Sequence, residues 1–120
     1  MHRSSLVMVV DDDPTILDAL RAVLTAEGYP VVTADNGREA LDVATELHPS
    51  IVLLDLRMPE LDGRAVAREL ATRGLRPKIV LMSGLSSLEG AVREMGAAGF
   101  LAKPFDMVSL LDIVESLSSI

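Results

Sequence analysis

The chain has 120 residues, of which 49% are hydrophobic, and this suits one domain with its own core while excluding a disordered segment. It has no cysteine, which excludes disulfides, thiolate metal sites and cysteine nucleophiles, and its one tyrosine and two phenylalanines leave the core to aliphatic side chains. Its net charge of −7 argues against a surface that binds DNA or RNA, and no apolar run approaches the roughly 20 residues that span a bilayer.

Short apolar runs alternate along the chain with windows of helical spacing. Continuous apolar runs are typical of strands that are buried on both faces of a parallel sheet. Strands are therefore predicted at residues 6–10, 30–34, 51–54, 79–82 and 99–102. The second run begins with Pro30, which favours an edge position or the start of a strand.

Helix signals follow each of these runs. Asp13 is a predicted N-cap with Pro14 at the first helical position, and Gly28 is predicted to end that helix. The pair Asp62 and Gly63 is interpreted as a turn before the third helix. The other predicted N-caps are Asn36, Ser86 or Ser87, and Asp106.

Five strands and five helices in strict alternation predict βαβ units and a parallel sheet with helices on both faces. No linker, repeat or low-complexity segment interrupts the pattern. One domain is therefore expected to fill residues 1–120.

Polar side chains follow four of the five predicted strands, at the edge of the sheet where α/β proteins bind ligands. These are Asp11, Asp12 and Asp13 after the first strand, Asp55 after the third, Ser83 after the fourth and Lys103 after the fifth. Two carboxylates about 4 Å apart repel by about 4 kcal/mol at an effective dielectric constant of 20. Asp11, Asp12 and Asp55 therefore require either a proton or a cation among them, and their oxygen ligands suit Mg²⁺ or Mn²⁺.

A lysine and a hydroxyl group beside such acids make a site for a phosphoryl group, because phosphoryl transfer depends mostly on positioning and charge neutralisation. In this interpretation Asp55 is the nucleophile and forms an acyl phosphate. The cation and Lys103 neutralise the phosphoryl oxygens, and Ser83 donates a hydrogen bond to one of them.

Five motifs, in order and at family spacing, resemble the receiver domain of two-component response regulators. They are Val10-Asp11-Asp12-Asp13, Leu54-Asp55-Leu56-Arg57-Met58-Pro59, Asp62-Gly63, Leu81-Met82-Ser83-Gly84 and Lys103-Pro104-Phe105. The resemblance covers essentially the whole chain. It implies a flavodoxin-like (βα)5 three-layer α/β sandwich, with a five-stranded parallel sheet in the order 2-1-3-4-5.

The resemblance also implies the chemistry and the partners. Asp55 would accept phosphate from the phosphohistidine of a sensor histidine kinase or a histidine phosphotransfer protein, with Mg²⁺, or Mn²⁺, as cofactor. Asp12 would bind the metal directly and Asp11 through water, with Asp55 and the backbone carbonyl of Arg57 completing the protein ligands. Such a protein is not an enzyme in the usual sense, since it catalyses only its own phosphorylation and dephosphorylation. We expect it in the cytoplasm, with no direct contact to nucleic acid or membrane.

The resemblance further implies a switch. Phosphate would draw Ser83 towards it and Phe100 would turn inward, which repacks the face made by helix four, strand five and helix five. A downstream output domain or protein would read that face, which could also form a homodimer. Gly84 is expected to leave open access beside Ser83, and the Arg57 side chain to lie at the mouth of the site. The remaining motif residues, Pro59, Gly63 and Pro104, lie in the surrounding loops.

Three alternatives use the same residues differently. Asp11 and Asp13 have the spacing of the two aspartates in haloacid-dehalogenase-like phosphatases, although Pro14-Thr15 follows and the chain is short for that fold. A flavin-binding flavodoxin-like protein needs a phosphate loop after the first strand, where three aspartates would repel phosphate. A pseudo-receiver that only binds a partner usually lacks the acceptor or the acid pair, and both are present here.

Overall fold

Strands and helices alternate throughout the computed structural model, which describes residues 4–58, 60–84 and 88–118. The strands are β1 Val7–Val10, β2 Val31–Ala34, β3 Ile51–Asp55, β4 Lys78–Ser83 and β5 Gly99–Ala102. The helices are α1 Pro14–Ala26, α2 Gly37–Leu47, α3 Gly63–Thr72, α4 Leu88–Met95 and α5 Met107–Ser118. No helix within the described ranges combines the length and the apolar character needed to cross a membrane.

The five strands form one parallel sheet in the order β2-β1-β3-β4-β5, which confirms the predicted order and the edge position of the second strand. Two strands are one residue longer at the carboxyl end than predicted. Asp55 is paired with Met82, and Ser83 is paired with Ala102. Both polar residues are therefore held by the sheet itself rather than by the loops that follow.

The core lies on both faces of the sheet because successive residues of a strand point to opposite sides. Val7 and Val9 of β1 pack with α1 and α5, whereas Met8 and Val10 pack with α2 and α3. A third group of buried side chains, which includes Leu81 of β4, lies beneath α4. Two helices thus cover one face and three cover the other, as a three-layer sandwich requires.

Local capping confirms most of the predicted helix ends. The predicted caps Asp13, Asn36 and Asp106 each accept a backbone N–H from the first turn of their helix, at 2.9, 2.8 and 2.7 Å. Gly28 follows the C-cap of α1 with a φ of +92°, a conformation that favours glycine. The candidate caps Ser86 and Ser87 lie outside the described residues.

The interpretation of Asp62 and Gly63 as a plain turn is wrong. The Asp62 carboxylate accepts the Ala65 N–H at 3.0 Å, so Asp62 is the N-cap of α3 and Gly63 is its first residue. An Asp-Gly pair is a signal for a turn as well as for a helix start. The residues with helical spacing that follow Gly63 decide in favour of the helix start.

Candidate functional site

The polar groups predicted at the sheet edge lie together. One carboxylate oxygen from each of Asp11, Asp12 and Asp55 falls within 4.8 Å of the other two. Asp11 directly follows β1 and Asp55 ends the neighbouring strand β3, so the pairing of the two strands sets this spacing. Elsewhere in the described ranges, no other group of three potential metal ligands comes this close.

Asp11 and Asp12 have different environments although they are adjacent. Asp11 is fully buried, and its carboxylate accepts the Asp13 N–H at 2.9 Å and the Lys103 ammonium at 2.7 Å. Asp12 is exposed at the mouth of the site. Asp13 is also exposed and points its carboxylate at the first turn of α1. Asp11 and Asp13 are therefore engaged in ion pairing and capping, which disfavours the phosphatase alternative that would use them as nucleophile and acid.

Asp55 is buried, with only 4% of its surface exposed. One carboxylate oxygen accepts the Arg57 N–H at 3.2 Å, and the other lies 3.6 Å from the Lys103 ammonium nitrogen. Burial raises the pKa of Asp55, and the charges of Asp11 and Asp12 raise it further, while the Arg57 N–H and Lys103 partly oppose them. The site thus disfavours the charged form of Asp55 unless a further positive charge is present.

Lys103 links the two buried acids. Burial alone would lower the pKa of its ammonium group, but the hydrogen bond and charge of Asp11 and the charge of Asp55 outweigh burial and raise it. Its backbone N–H donates to the Ser83 carbonyl at 2.8 Å, which places the start of the loop after β5 against the end of β4. The peptide bond between Lys103 and Pro104 is cis.

Four further predicted site residues, among those the structure describes, lie on or shortly after β3, β4 and β5. Ser83 is buried at the end of β4, while Gly84 is exposed. Among the described residues, a Cβ built at Gly84 would meet only the Lys103 carbonyl oxygen, at 4.0 Å, so these residues leave the space beside it open. Phe100 is 37% exposed on β5, and Leu101 points into the core on the opposite face. Arg57 is exposed at the mouth, and Pro59 lies outside the described residues.

Gly63 has a role that the sequence did not reveal. A Cβ at this position would lie 2.6 Å from the Asp55 carbonyl oxygen and 2.9 Å from the Leu56 Cα. Real side chains do not tolerate such contacts with backbone, so only glycine lets the start of α3 lie against Asp55. Gly37, at the start of α2, is similarly close to the Leu61 carbonyl oxygen, at 2.6 Å from a built Cβ. Local sequence carries no signal of these approaches, because each depends on how separate elements pack against one another.

A cavity of about 380 Å³ also opens beside Lys103, and the sequence did not predict it. Its lining is mostly apolar and includes Ile16 and Ala19 of α1, together with Phe105 and Met107. Lys103 is the residue of this lining that also contacts Asp11 and Asp55.

The chain matches a known family along most of its length. The model of the response regulator receiver domain matches residues 7–115. The regulatory protein AtoC of Escherichia coli is 34% identical over 111 residues, which cover 91% of this chain and 24% of that protein. The transcriptional regulatory protein PrrA of Mycobacterium tuberculosis is 39% identical over 116 residues, covering 95% of this chain and 50% of PrrA. The chain thus spans half or less of the length of these relatives.

Solved structures give the same result. The chemotaxis protein CheY4 of Vibrio cholerae superposes with a TM-score of 0.87 at 28% identity, covering 94% of this chain and 98% of CheY4. The response regulator TrrA of Thermotoga maritima, in complex with Mg²⁺ and BeF, superposes with a TM-score of 0.85 at 32% identity. That match covers 95% of this chain and 99% of TrrA.

Proposed function

The chain belongs to the family of response regulator receiver domains, and from this premise we propose that Asp55 accepts the phosphoryl group. The observation that carries the proposal is the position of Asp55. It is a buried carboxylate that shares its site with Asp11 and Asp12 and lies 3.6 Å from the Lys103 ammonium. Asp11 is the other buried carboxylate in the described ranges, but it is already engaged by the Asp13 N–H at 2.9 Å and by the Lys103 ammonium at 2.7 Å.

The chemistry is a transfer from nitrogen to oxygen. A carboxylate oxygen of Asp55 forms a bond to phosphorus while the bond between phosphorus and the imidazole nitrogen of the donor's phosphohistidine breaks. The imidazole leaves with the bonding electron pair and takes up a proton. The product is an acyl phosphate on Asp55, and its later hydrolysis returns the carboxylate and inorganic phosphate. Both reactions are catalysed by the domain on itself.

The donor set fits a hard divalent cation. Three carboxylates supply oxygen ligands alone, and Mg²⁺ favours one or two carboxylates with water and phosphate oxygens in the remaining positions. Asp12 and Asp55 would bind it directly and Asp11 through water, with the Arg57 carbonyl as a further ligand. When bound, Mg²⁺ neutralises charge on the transferred group, and Mn²⁺ would fit the same ligands.

Lys103 and Ser83 complete the phosphate site. Lys103 already lies between Asp11 and Asp55, so its ammonium can shift to a phosphoryl oxygen without leaving the pocket. The Ser83 hydroxyl would donate to a second oxygen. Its movement, with Phe100 turning inward from its half-exposed position, would repack the face of α4, β5 and α5 that an output domain reads or a second copy contacts.

The phosphodonor is proposed to be a sensor histidine kinase or a histidine phosphotransfer protein. Its histidine must approach Asp55 from the side of Asp12 and Gly84, which are exposed. The apolar cavity that Lys103 shares with the site supports a contact of the donor protein there. The relatives are longer than this chain, and the whole protein is accordingly proposed to couple this domain, within residues 1–120, to an output.

Phosphorylation can be measured by intact mass. The protein is incubated with acetyl phosphate, with and without Mg²⁺. We expect one phosphoryl adduct that needs Mg²⁺, is labile to base, and is absent from Asp55→Asn. Asp13→Asn is the matched control, because asparagine also caps a helix and Asp13 lies outside the proposed ligands. An adduct that persists in Asp55→Asn, or disappears equally in Asp13→Asn, would refute the assignment.

A further inference from the structure

The positive charge of the chain is concentrated in one segment. Residues 64–78 contain five of the eleven lysines and arginines but only one of the eighteen acidic residues. This segment runs from α3 into the first residue of β4. Three of the five, Arg64, Arg68 and Arg76, lie close together, so the molecule has a local basic surface in spite of its net charge of −7.

That basic surface contains a cavity of about 400 Å³ between α3 and α4. Its apolar lining includes Ala67, Ile79 and Met95, which are partly buried and border the core groups beneath α3 and α4. This volume lies in the range of about 300–1,000 Å³ that is typical of sites for small organic molecules. The cavity therefore suits a small molecule better than a protein partner, because a stable contact with another protein uses a surface of roughly 800 Å² on each partner.

Three arginines surround the cavity. Arg64 forms an ion pair with Glu94 at 2.5 Å, and Arg76 donates only a long bond of 3.4 Å to the Ala71 carbonyl. Across the described ranges, the Arg68 guanidinium has no ion-pair partner within 4.0 Å. Two guanidinium groups are thus available to an anion, and a third becomes available when Glu94 moves.

We infer that this cavity binds a small organic anion, with the apolar body against Ala67, Ile79 and Met95 and the anionic group between Arg68 and Arg76. Guanidinium groups bind carboxylate, sulfonate and phosphate oxygens with paired hydrogen bonds. Hydrogen bonds to charged groups are strong enough that loss of one changes affinity by about tenfold or more. The cavity lining does not include Asp55, so binding does not require phosphorylation.

Naphthalene-1-sulfonate is a suitable probe, because it has the required apolar body and a permanent negative charge. Binding is followed by titration calorimetry and by backbone amide shifts. We expect saturable binding with shifts concentrated in residues 64–79 and 94–95. Neutral 1-naphthol and inorganic sulfate, which each lack one half of the probe, should bind at least about tenfold more weakly. Added salt should weaken the binding of the probe.

Charge substitutions locate the site. Arg68→Glu and Arg76→Glu should each weaken binding at least about tenfold. Arg38→Glu makes the same change of charge at an exposed position of α2 and should leave binding unchanged. Glu94→Gln should strengthen binding, because it releases Arg64. Asp55→Asn should bind as the unaltered protein does, so failure of the phosphorylation proposal would not affect the result. Absence of saturable binding, shifts outside the cavity, or equal losses in Arg38→Glu and Arg68→Glu would overturn the inference.

Discussion

The ammonium of Lys103 lies between two buried carboxylates, and this arrangement couples stability to function at a single residue. The bond to Asp11 is short, 2.7 Å, and Asp11 has no exposure to water. A buried charge that loses its partner costs more than the pair contributed, because it keeps its desolvation penalty. The receiver site thus keeps its lysine in place before any phosphate arrives.

Lys103→Ala should therefore lower the free energy of unfolding by about 1–3 kcal/mol in the absence of Mg²⁺, since Asp11 and Asp55 lose their shared cation. Lys78→Ala is the control on the same sheet. Lys78 is exposed and only donates to the Leu117 carbonyl at 2.9 Å, so its removal should cost less. Urea denaturation in the presence of a chelator measures the free energy of unfolding of both variants. Equal decreases in that free energy would contradict the role of Lys103 as a buried partner.

The raised pKa of Asp55 predicts how stability depends on pH and metal. A carboxyl group whose pKa is raised by folding favours the folded state while it is protonated, and that contribution is lost as pH rises through the raised pKa. At neutral pH and without metal, the charged Asp55 therefore destabilises the domain.

Asp55→Asn should consequently raise the melting temperature at neutral pH in the presence of a chelator. The difference should shrink at acidic pH, where Asp55 is protonated, and Mg²⁺ should stabilise the unaltered protein more than the variant. Thermal denaturation followed by circular dichroism measures the melting temperature of both proteins at each pH, with and without Mg²⁺. A variant that is less stable than the unaltered protein at neutral pH, or equally affected by Mg²⁺, would contradict this reasoning.

Among the secondary structure elements, α3 is tied directly to the site by its first turn. It is capped by Asp62, and its first residue, Gly63, lies against the Asp55 backbone. The helix and the acceptor strand therefore cannot move independently at this point.

Gly63→Ala should destabilise the domain by about 1–3 kcal/mol, the usual cost of overpacking, and slow phosphorylation by displacing Asp55. Gly90→Ala is the matched control, because a Cβ at Gly90 in α4 meets no atom of the described residues within 4 Å. Alanine there should stabilise the helix by about 0.5–1 kcal/mol. Chemical denaturation and the rate of phosphorylation by acetyl phosphate test both variants, and similar effects of the two substitutions would contradict the close approach at Gly63.

Local chemistry explains which elements could be predicted. Apolar runs and N-caps depend on residues that are close together in the chain. The sequence was therefore enough to predict the five strands and the caps Asp13, Asn36 and Asp106. The convergence of Asp11, Asp55 and Lys103 followed from the parallel sheet. Contacts that depend on how separate elements pack could not be predicted, which is why the role of Gly63 was missed. The different burial of Asp11 and Asp12 was missed for the same reason, as neighbouring aspartates look alike until the sheet and Lys103 cover one of them.

At the scale of the whole molecule, both faces of the sheet share the same strands. Val7 and Val9 belong to one core and Met8 and Val10 to the other, so neither core can form without β1. The described part of the chain should accordingly unfold as one unit. Calorimetry should show a single transition, with equal calorimetric and van't Hoff enthalpies of roughly 80 kcal/mol for a chain of this length. Two resolved transitions would contradict the assignment of one domain to residues 1–120.

Chemical trapping can show whether Asp55 is the residue that carries the phosphoryl group. Borohydride reduces an aspartyl phosphate to homoserine, which fixes the modified position permanently in the chain. After phosphorylation with acetyl phosphate and Mg²⁺, reduction and proteolysis, peptide mass spectrometry should find homoserine at position 55 alone. Homoserine at position 11, 12 or 13, or an unmodified Asp55 in protein that gained a phosphoryl group, would contradict the account.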